Sequence, residues 1–260
     1  MFFTYWEGEQ FSYFHYLSIL SLYKLNPGID IIVYTASTPC NILRTWTTCE
    51  HSVDINKIYN FSDILEMVTI KTIEFEEEYG VKNNTSVVWK ADITRWAKLY
   101  EHGGIWFDMD ILFIKPIPDS FYSSTAEIVT DRYLGVIGGA LVKAVAGNKY
   151  MGKLHENSLD IVISGKTDYY QIVAQGSLES VIGYNNSDPL IEWRNIDEVT
   201  PIMPDKINLL FEANNEHLIK ENTFAIHWFN GSPDTRRAIN DFDITKNTTF
   251  NKLIEKILYS

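Results

Sequence analysis

The sequence predicts an α/β domain built on a mostly parallel mixed sheet, and three observations predict it. Phe2 to Trp6, Phe11 to Leu25 and Asp30 to Thr35 read in order as strand, helix and strand. That order suggests a βαβ unit, because parallel strands need a crossover between them. Thr85 to His102 reads as a long helix that ends on Gly103-Gly104 and runs directly into the apolar stretch Gly104 to Phe113. Strand-like and helix-like segments then alternate again to the end of the chain.

Each element has a local reason. The first helix carries Phe14, Tyr16, Leu17, Leu20, Leu22 and Tyr23 at helical spacing and stops at Asn26-Pro27-Gly28, a strong breaker. Ala36 to Asp54 is loop-like, and Val68 to Phe75 is a candidate strand. Glu76-Glu77-Glu78 reads as a solvated acidic patch. Ser86 can cap the long helix, and the glycine doublet can end it. That helix has two stripes: Trp89, Ile93, Trp96 and Tyr100 form one, and Val88, Asp92, Arg95 and Leu99 the other. The first is core packing. The second sets an acid and a base side by side among apolar neighbours, where an exposed pair would contribute only a few tenths of a kcal/mol, roughly. Further on, Glu127 to Thr130, Ile137 to Lys143 and Thr223 to Trp228 are expected strands. Asn148 to Ile161, Tyr169 to Ile182 and Phe250 to Tyr259 are expected helices.

Size and charge bound the function. The 260 residues, 45% hydrophobic and 14% aromatic, can bury a sizeable core, and no linker-like or repeated stretch divides residues 1–260, so one domain is expected. The net charge of −12 argues against nucleic-acid or anionic-membrane surfaces. The start of the chain has no basic region. The stretch from Phe11 to Leu25 is interrupted by Ser12, His15, Ser18, Ser21 and Lys24, so neither a signal peptide nor a transmembrane segment is expected, and a cytoplasmic location follows as an expectation. Cys40 and Cys49, the two cysteines, lack metal-ligand spacing and are expected as reduced thiols. On the same expectation the sequons at Asn60, Asn83, Asn84, Asn185, Asn230 and Asn247 are inert.

The chemistry concentrates in Trp106-Phe107-Asp108-Met109-Asp110-Ile111-Leu112-Phe113. If the backbone stays extended through Met109, Asp108 and Asp110 share one side. Two like charges that close need a cation, a proton or a donor-rich ligand. A diphosphate about 4 Å from two carboxylates would meet roughly 4 kcal/mol of repulsion per charge pair at an effective dielectric near 20. A divalent cation reverses that sign.

The run from Lys90 to Asp110, a helix with Asp92-x-x-Arg95 followed by Tyr100-x-x-Gly103-Gly104-Ile105-Trp106-x-Asp108-x-Asp110, resembles the DXD sugar-binding segment of glycosyltransferases. Fainter likeness extends to Tyr5-Trp6-Glu7-Gly8, to the Asn26-Pro27 turn and to Ile226-His227-Trp228-Phe229-Asn230-Gly231-Ser232. Pro233 departs from the tryptophan that often follows that serine, and Asp119 to Ile219 does not align.

The resemblance implies a GT-A (Rossmann-like) fold that binds a nucleotide-sugar and a divalent metal, Mn²⁺ or Mg²⁺. It implies that Asp110 ligates the metal and that Asp108 contacts ribose or sugar, with a link to the metal. Asp92 and Arg95 would hold hexose hydroxyls, and Trp106 would pack near the donor. Trp6 would stack on the base, without naming it. His227 and Ser232 would approach the same ion, imidazole being a good Mn²⁺ ligand. The implied activity is transfer of a hexose from a UDP- or GDP-sugar to a glycan, glycolipid or protein acceptor, with retention as in most relatives. No catalytic base is assigned; Asp131, Glu212 and Glu216 are unassigned acids. Tyr133, Tyr169 and Tyr170 are aromatic candidates for an acceptor sugar. Two alternatives remain. One is a non-catalytic sugar- or nucleotide-binding module, which would use the same residues. The other is a haloacid-dehalogenase-type phosphohydrolase, whose nucleophilic Asp lies near the N-terminus with a small hydroxyl residue or Val four positions on, where this chain has Leu112.

Overall fold

The computed structural model describes residues 1–8, 10–40, 58–133, 136–166, 171–183 and 186–259. Cys49, Tyr169, Tyr170, Asn185 and most of the Ala36 to Asp54 loop lie outside the described residues, as does the Tyr133 side chain.

The first half alternates as expected. Strand β1 (Phe2–Tyr5) is buried at every position. A short β2 (Gln10–Ser12) takes the Phe11 that the helical pattern had claimed, and α1 (Tyr13–Leu25) begins once Ser12 Oγ accepts the His15 amide. Strand β3 (Ile31–Ala36) is buried throughout, and β4 (Ile58–Asn60) pairs antiparallel with β2. Then come β5 (Thr69–Ile73), α2 (Phe75–Tyr79), which carries the exposed glutamates, and α3 (Val87–His102). Ser86 takes the N-cap position of α3 without a side-chain capping bond. Both stripes of α3 contribute buried residues, whereas Tyr100 is exposed.

The glycine doublet after α3 is a steric requirement. Gly103 and Gly104 have φ of +63° and +111°, and a Cβ would lie 2.6 Å from the Ala146 amide nitrogen and 2.8 Å from the Met1 carbonyl oxygen, respectively. Strand β6 (Gly104–Phe107) can then enter beside β1.

Here the expectation of one extended strand to Phe113 fails. The chain turns at Met109-Asp110, and β7 (Ile111–Phe113) leaves the main sheet. Helix α4 (Asp119–Tyr122), β8 (Ile128–Tyr133), β9 (Val136–Ile137) and β10 (Leu141–Ala144) follow. The predicted strand Ile137 to Lys143 is broken at Gly138-Gly139, where the chain bulges away from β8 and shifts its register before pairing again as β10 in the same direction. Helix α5 (Lys149–Ser164) is capped by Asn148, and the expected Tyr169 to Ile182 helix is a π-helical turn followed by α6 (Ser177–Val181). Strand β11 (Ile191–Arg194) and helix α7 (Pro233–Asn240) were not anticipated, whereas β12 (Ala225–His227) and α8 (Thr249–Tyr259) were.

The large sheet runs β11-β8-β10-β6-β1-β3-β5, with β9 beside β8. β1 is parallel to β3 and β6, β3 to β5, and β8 to β11, while β10 is antiparallel to both its neighbours. Helices α3 and α5 cover one face through Ile93, Trp96, Leu99, Met151 and Leu154, and α1 covers the other through Ile19 and Leu22. A further apolar cluster joins α1, β7, β12, α7 and α8 around Phe14 and Trp228. From β1 the chain moves outward through β3 and β5, then returns to the opposite side of β1 as β6. That reversal opens a crevice beyond the carboxyl ends of β1 and β6, the place where such sheets bind ligands. Trp6 leaves β1 there and Asp108 leaves β6.

Candidate functional site: an acidic corner with an imidazole

The turn at Met109 does what strand alternation was expected to do. It brings Asp108 and Asp110 to one corner, and β12, antiparallel to β7, brings His227 opposite Ile111. One side-chain ligand atom from each of Asp108, Asp110 and His227 lies within 4.8 Å of the others. Two carboxylates and an imidazole are a donor set suited to Mn²⁺ or another divalent ion.

Asp108 is held from the helix side. Its Oδ1 accepts from Arg95 Nη2 at 2.7 Å and from Trp106 Nε1 at 2.6 Å. Arg95 Nη1 in turn lies 3.3 Å from Asp92 Oδ1. The Asp92–Arg95 pair of α3 is therefore buried and linked to the acidic corner. Trp106 is buried in the core, and its indole N–H anchors the first aspartate.

Asp110 is held from the other side. Its Oδ2 lies 3.1 Å from His227 Nε2 and accepts the Asn230 amide at 2.8 Å, while its carbonyl accepts the Trp228 amide at 2.9 Å. The loop that provides these donors includes Phe229 in the left-handed region at φ 50°, uncommon backbone for a non-glycine residue, and its ring packs 4.0 Å from the His227 ring. Arg236 on α7 is buried and reaches Asn230 Oδ1 at 3.4 Å.

The charges divide the two acids. Burial pushes the Asp108 carboxyl up, with Arg95 opposing and Asp110 adding to the rise. Burial also acts to raise Asp110, but the His227 charge and hydrogen bond and the Asn230 amide outweigh it and hold Asp110 at about 2. Burial acts to lower His227, and Asp110 beside it prevails and raises it. Asp110 is thus an ionised acceptor at neutral pH, ready for a cation.

Trp6 is half-buried at the end of β1, with its indole N–H on the Gln10 carbonyl and its ring 4.5 Å from His15. His15 is buried between Trp6 and Trp228, and Ser12 Oγ lies 2.7 Å from its Nδ1. Ser232 takes the N-cap position of α7, five residues past His227, without a side-chain capping bond. Glu212 and Glu216 are elsewhere: Glu212 accepts from Asn208, and Glu216 pairs with Lys252 of α8.

Asp131, in contrast, lies against Gly138, next to the Gly139 that faces Arg95. It lies on β8 and is 7% exposed, and burial pushes its carboxyl up to about 6. It and His227 shift each other's proton affinity. The signal that could have found it is the Gly138-Gly139 doublet, since glycine inside a strand pattern marks a close approach. Asn230 and Arg236 carried no such signal.

Residues 15–127 match the sequence profile of the glycosyltransferase sugar-binding region containing a DXD motif. No curated protein matches the chain. Among solved structures, the WbbM bifunctional glycosyltransferase superposes at TM-score 0.52 and 8% identity, covering 98% of this chain and 49% of that one. This chain therefore spans about half of WbbM. A galactosyltransferase, LgtC, in complex with donor and acceptor sugar analogs, covers 100% of this chain and 96% of its own at TM-score 0.48 and 11% identity. The PaToxG glycosyltransferase covers 69% and 67% at TM-score 0.48 and 15% identity. Residues 15–127 thus match the DXD-containing sugar-binding region of glycosyltransferases, and the fold is of the GT-A type.

Proposed function

We propose that the protein transfers a hexose from a UDP- or GDP-sugar to a hydroxyl of a glycan, glycolipid or protein acceptor, dependent on Mn²⁺ or Mg²⁺, with retention at the anomeric carbon, and that residues 1–260 work as one domain. The observation that supports this most is the convergence of Asp108, Asp110 and His227 at the sheet's reversal point.

Asp110 and His227 would hold the metal directly, Asp108 would join it or bridge to ribose and sugar, and Ser232 would approach from the N-terminus of α7. The metal would supply positive charge for the departing diphosphate, which a chain of net charge −12 otherwise lacks. The protein's own groups do the positioning. Arg95, buried and raised by Asp108 and Asp92 against the effect of its burial, stays charged and directs its guanidinium to the donor. Asp92 fixes that guanidinium and accepts from hexose hydroxyls. Trp106 holds the Asp108 rotamer, and Trp6 offers a ring face to the base. Holding sugar and acceptor hydroxyl in line while water is kept out favours transfer over hydrolysis.

A thermal-shift screen of UDP- and GDP-sugars with and without Mn²⁺ tests this. The expected result is a shift from nucleotide-sugar and metal together that exceeds either alone. Slow metal-dependent release of free sugar from the best donor would separate an enzyme from a binding module. No shift with any donor would overturn the proposal.

A further inference from the structure

We infer that Asp131 is a sugar-binding residue of this site, accepting a hydrogen bond from a hydroxyl of the transferred hexose across the Gly138-Gly139 pair from Arg95. The inference rests on the proposed nucleotide-sugar donor and assigns a residue to it.

Three observations carry it. Asp131 is nine-tenths buried on β8, and its carboxylate takes its own backbone amide but, among the described residues, no side-chain donor. A buried carboxylate without such a donor is costly and is retained where a ligand supplies one. Next, the chain clears space around it. Gly138 pairs with Asp131 across the β8–β9 turn, its amide donating to the Asp131 carbonyl at 2.7 Å. A Cβ on Gly138 would stand 1.8 Å from Asp131 Oδ1. A Cβ on the following Gly139 would stand 3.0 Å from Arg95 Nη1. The glycine pair is therefore flanked by the Asp131 carboxylate at Gly138 and the Arg95 guanidinium at Gly139. Finally, the Arg95 beside Gly139 donates to Asp108 Oδ1 at 2.7 Å, which ties the glycine pair next to Asp131 to the acidic corner. Sugar hydroxyls are donors and acceptors at once, and a carboxylate facing a guanidinium across an open glycine pair matches them.

The test uses the full chain with Mn²⁺ and whichever of UDP-glucose, UDP-galactose, UDP-N-acetylglucosamine or GDP-mannose gives the largest thermal shift, compared with UDP or GDP alone. Asp131→Ala is expected to weaken the nucleotide-sugar about tenfold or more while changing the nucleoside diphosphate by less than about twofold. Gly138→Ala, whose φ is not positive, should reproduce the effect by pushing the carboxylate aside, and Asp131→Asn should recover part of the binding. Equal loss for sugar nucleotide and diphosphate would overturn the inference in favour of a structural or metal-field role. Unchanged donor binding and donor hydrolysis, with a raised acceptor KM, would overturn it in favour of an acceptor contact. Failure of the unaltered protein to bind any of the donors would instead overturn the donor assignment itself. Should Asp131→Ala fail to fold, Gly138→Ala and Asp131→Asn decide alone.

Discussion

Two of the ion pairs that α3 makes differ in one respect. Lys90 pairs with Glu7 at 3.0 Å, with side chains 0% and 2% exposed. Arg95 pairs with Asp108 at 2.7 Å, with side chains 7% and 25% exposed. The first pair is saturated. Lys90 also donates to the Asn83 carbonyl at 2.6 Å and lies over the Phe75 ring, while Glu7 also accepts the Tyr5 hydroxyl and the Cys40 amide. The second pair is open: both donors to Asp108 land on Oδ1, and its neighbours are another acid and an imidazole. A closed pair of buried charges holds two segments together, here the end of β1 and α3. An open pair keeps bonding capacity for something that arrives.

The sharpest way to break this contrast is Asp110→Ala. Removing the ionised ligand is expected to cost metal-dependent transfer about a hundredfold or more while the thermal midpoint holds, read from initial rates over a Mn²⁺ titration. Near-normal turnover would make the open corner irrelevant. Lys90→Met attacks the closed pair. It strands Glu7 in the core and should lower stability by about 3–5 kcal/mol in denaturant titration, with the activity of the folded fraction retained. Loss of donor binding at unchanged stability would show that the closed pair also serves the site. Arg95→Lys keeps the charge but loses the planar fork, and should raise the donor KM roughly tenfold with a smaller effect on stability.

The smallest effect concerns His15, behind both Trp6 and Trp228. Burial lowers its pKa to about 3 from the ordinary 6.5, against the pull of Asp110. Its folded value is depressed, so the stability it contributes is complete above pH 6.5 and is lost as pH falls toward about 3. One proton of linkage has a limiting slope of about 1.4 kcal/mol per pH unit. The metal-free His15→Gln variant should show a flatter stability profile across that window, and an unchanged profile would place the acid sensitivity elsewhere.

Sequence legibility followed contact range. The βαβ start, the α3 helix with Asp92 and Arg95, the glycine doublet and the acidic pair are all local patterns, and the structure has each of them. His227 could be named only through the resemblance, because it meets Asp110 across more than a hundred residues. The turn at Met109 was missed because Ile111, Leu112 and Phe113 continue the apolar pattern; it is their pairing with β12, not their composition, that takes them out of the main sheet. The break at Gly138-Gly139 was hidden by β-branched and apolar neighbours, and with it went the placement of Asp131. Among the described residues no helix is long and apolar enough to cross a membrane, in line with the interrupted Phe11 to Leu25 stretch.

The central claim is that Asp110 and His227, with Asp108 beside them, hold a divalent cation against a diphosphate. Crystals grown with MnCl₂ and UDP or GDP, measured at the manganese absorption edge, test it most directly. An anomalous peak within ligand distance of Asp110 and His227 and touching the diphosphate is the predicted result. Bound nucleotide with no manganese at that corner would contradict the account.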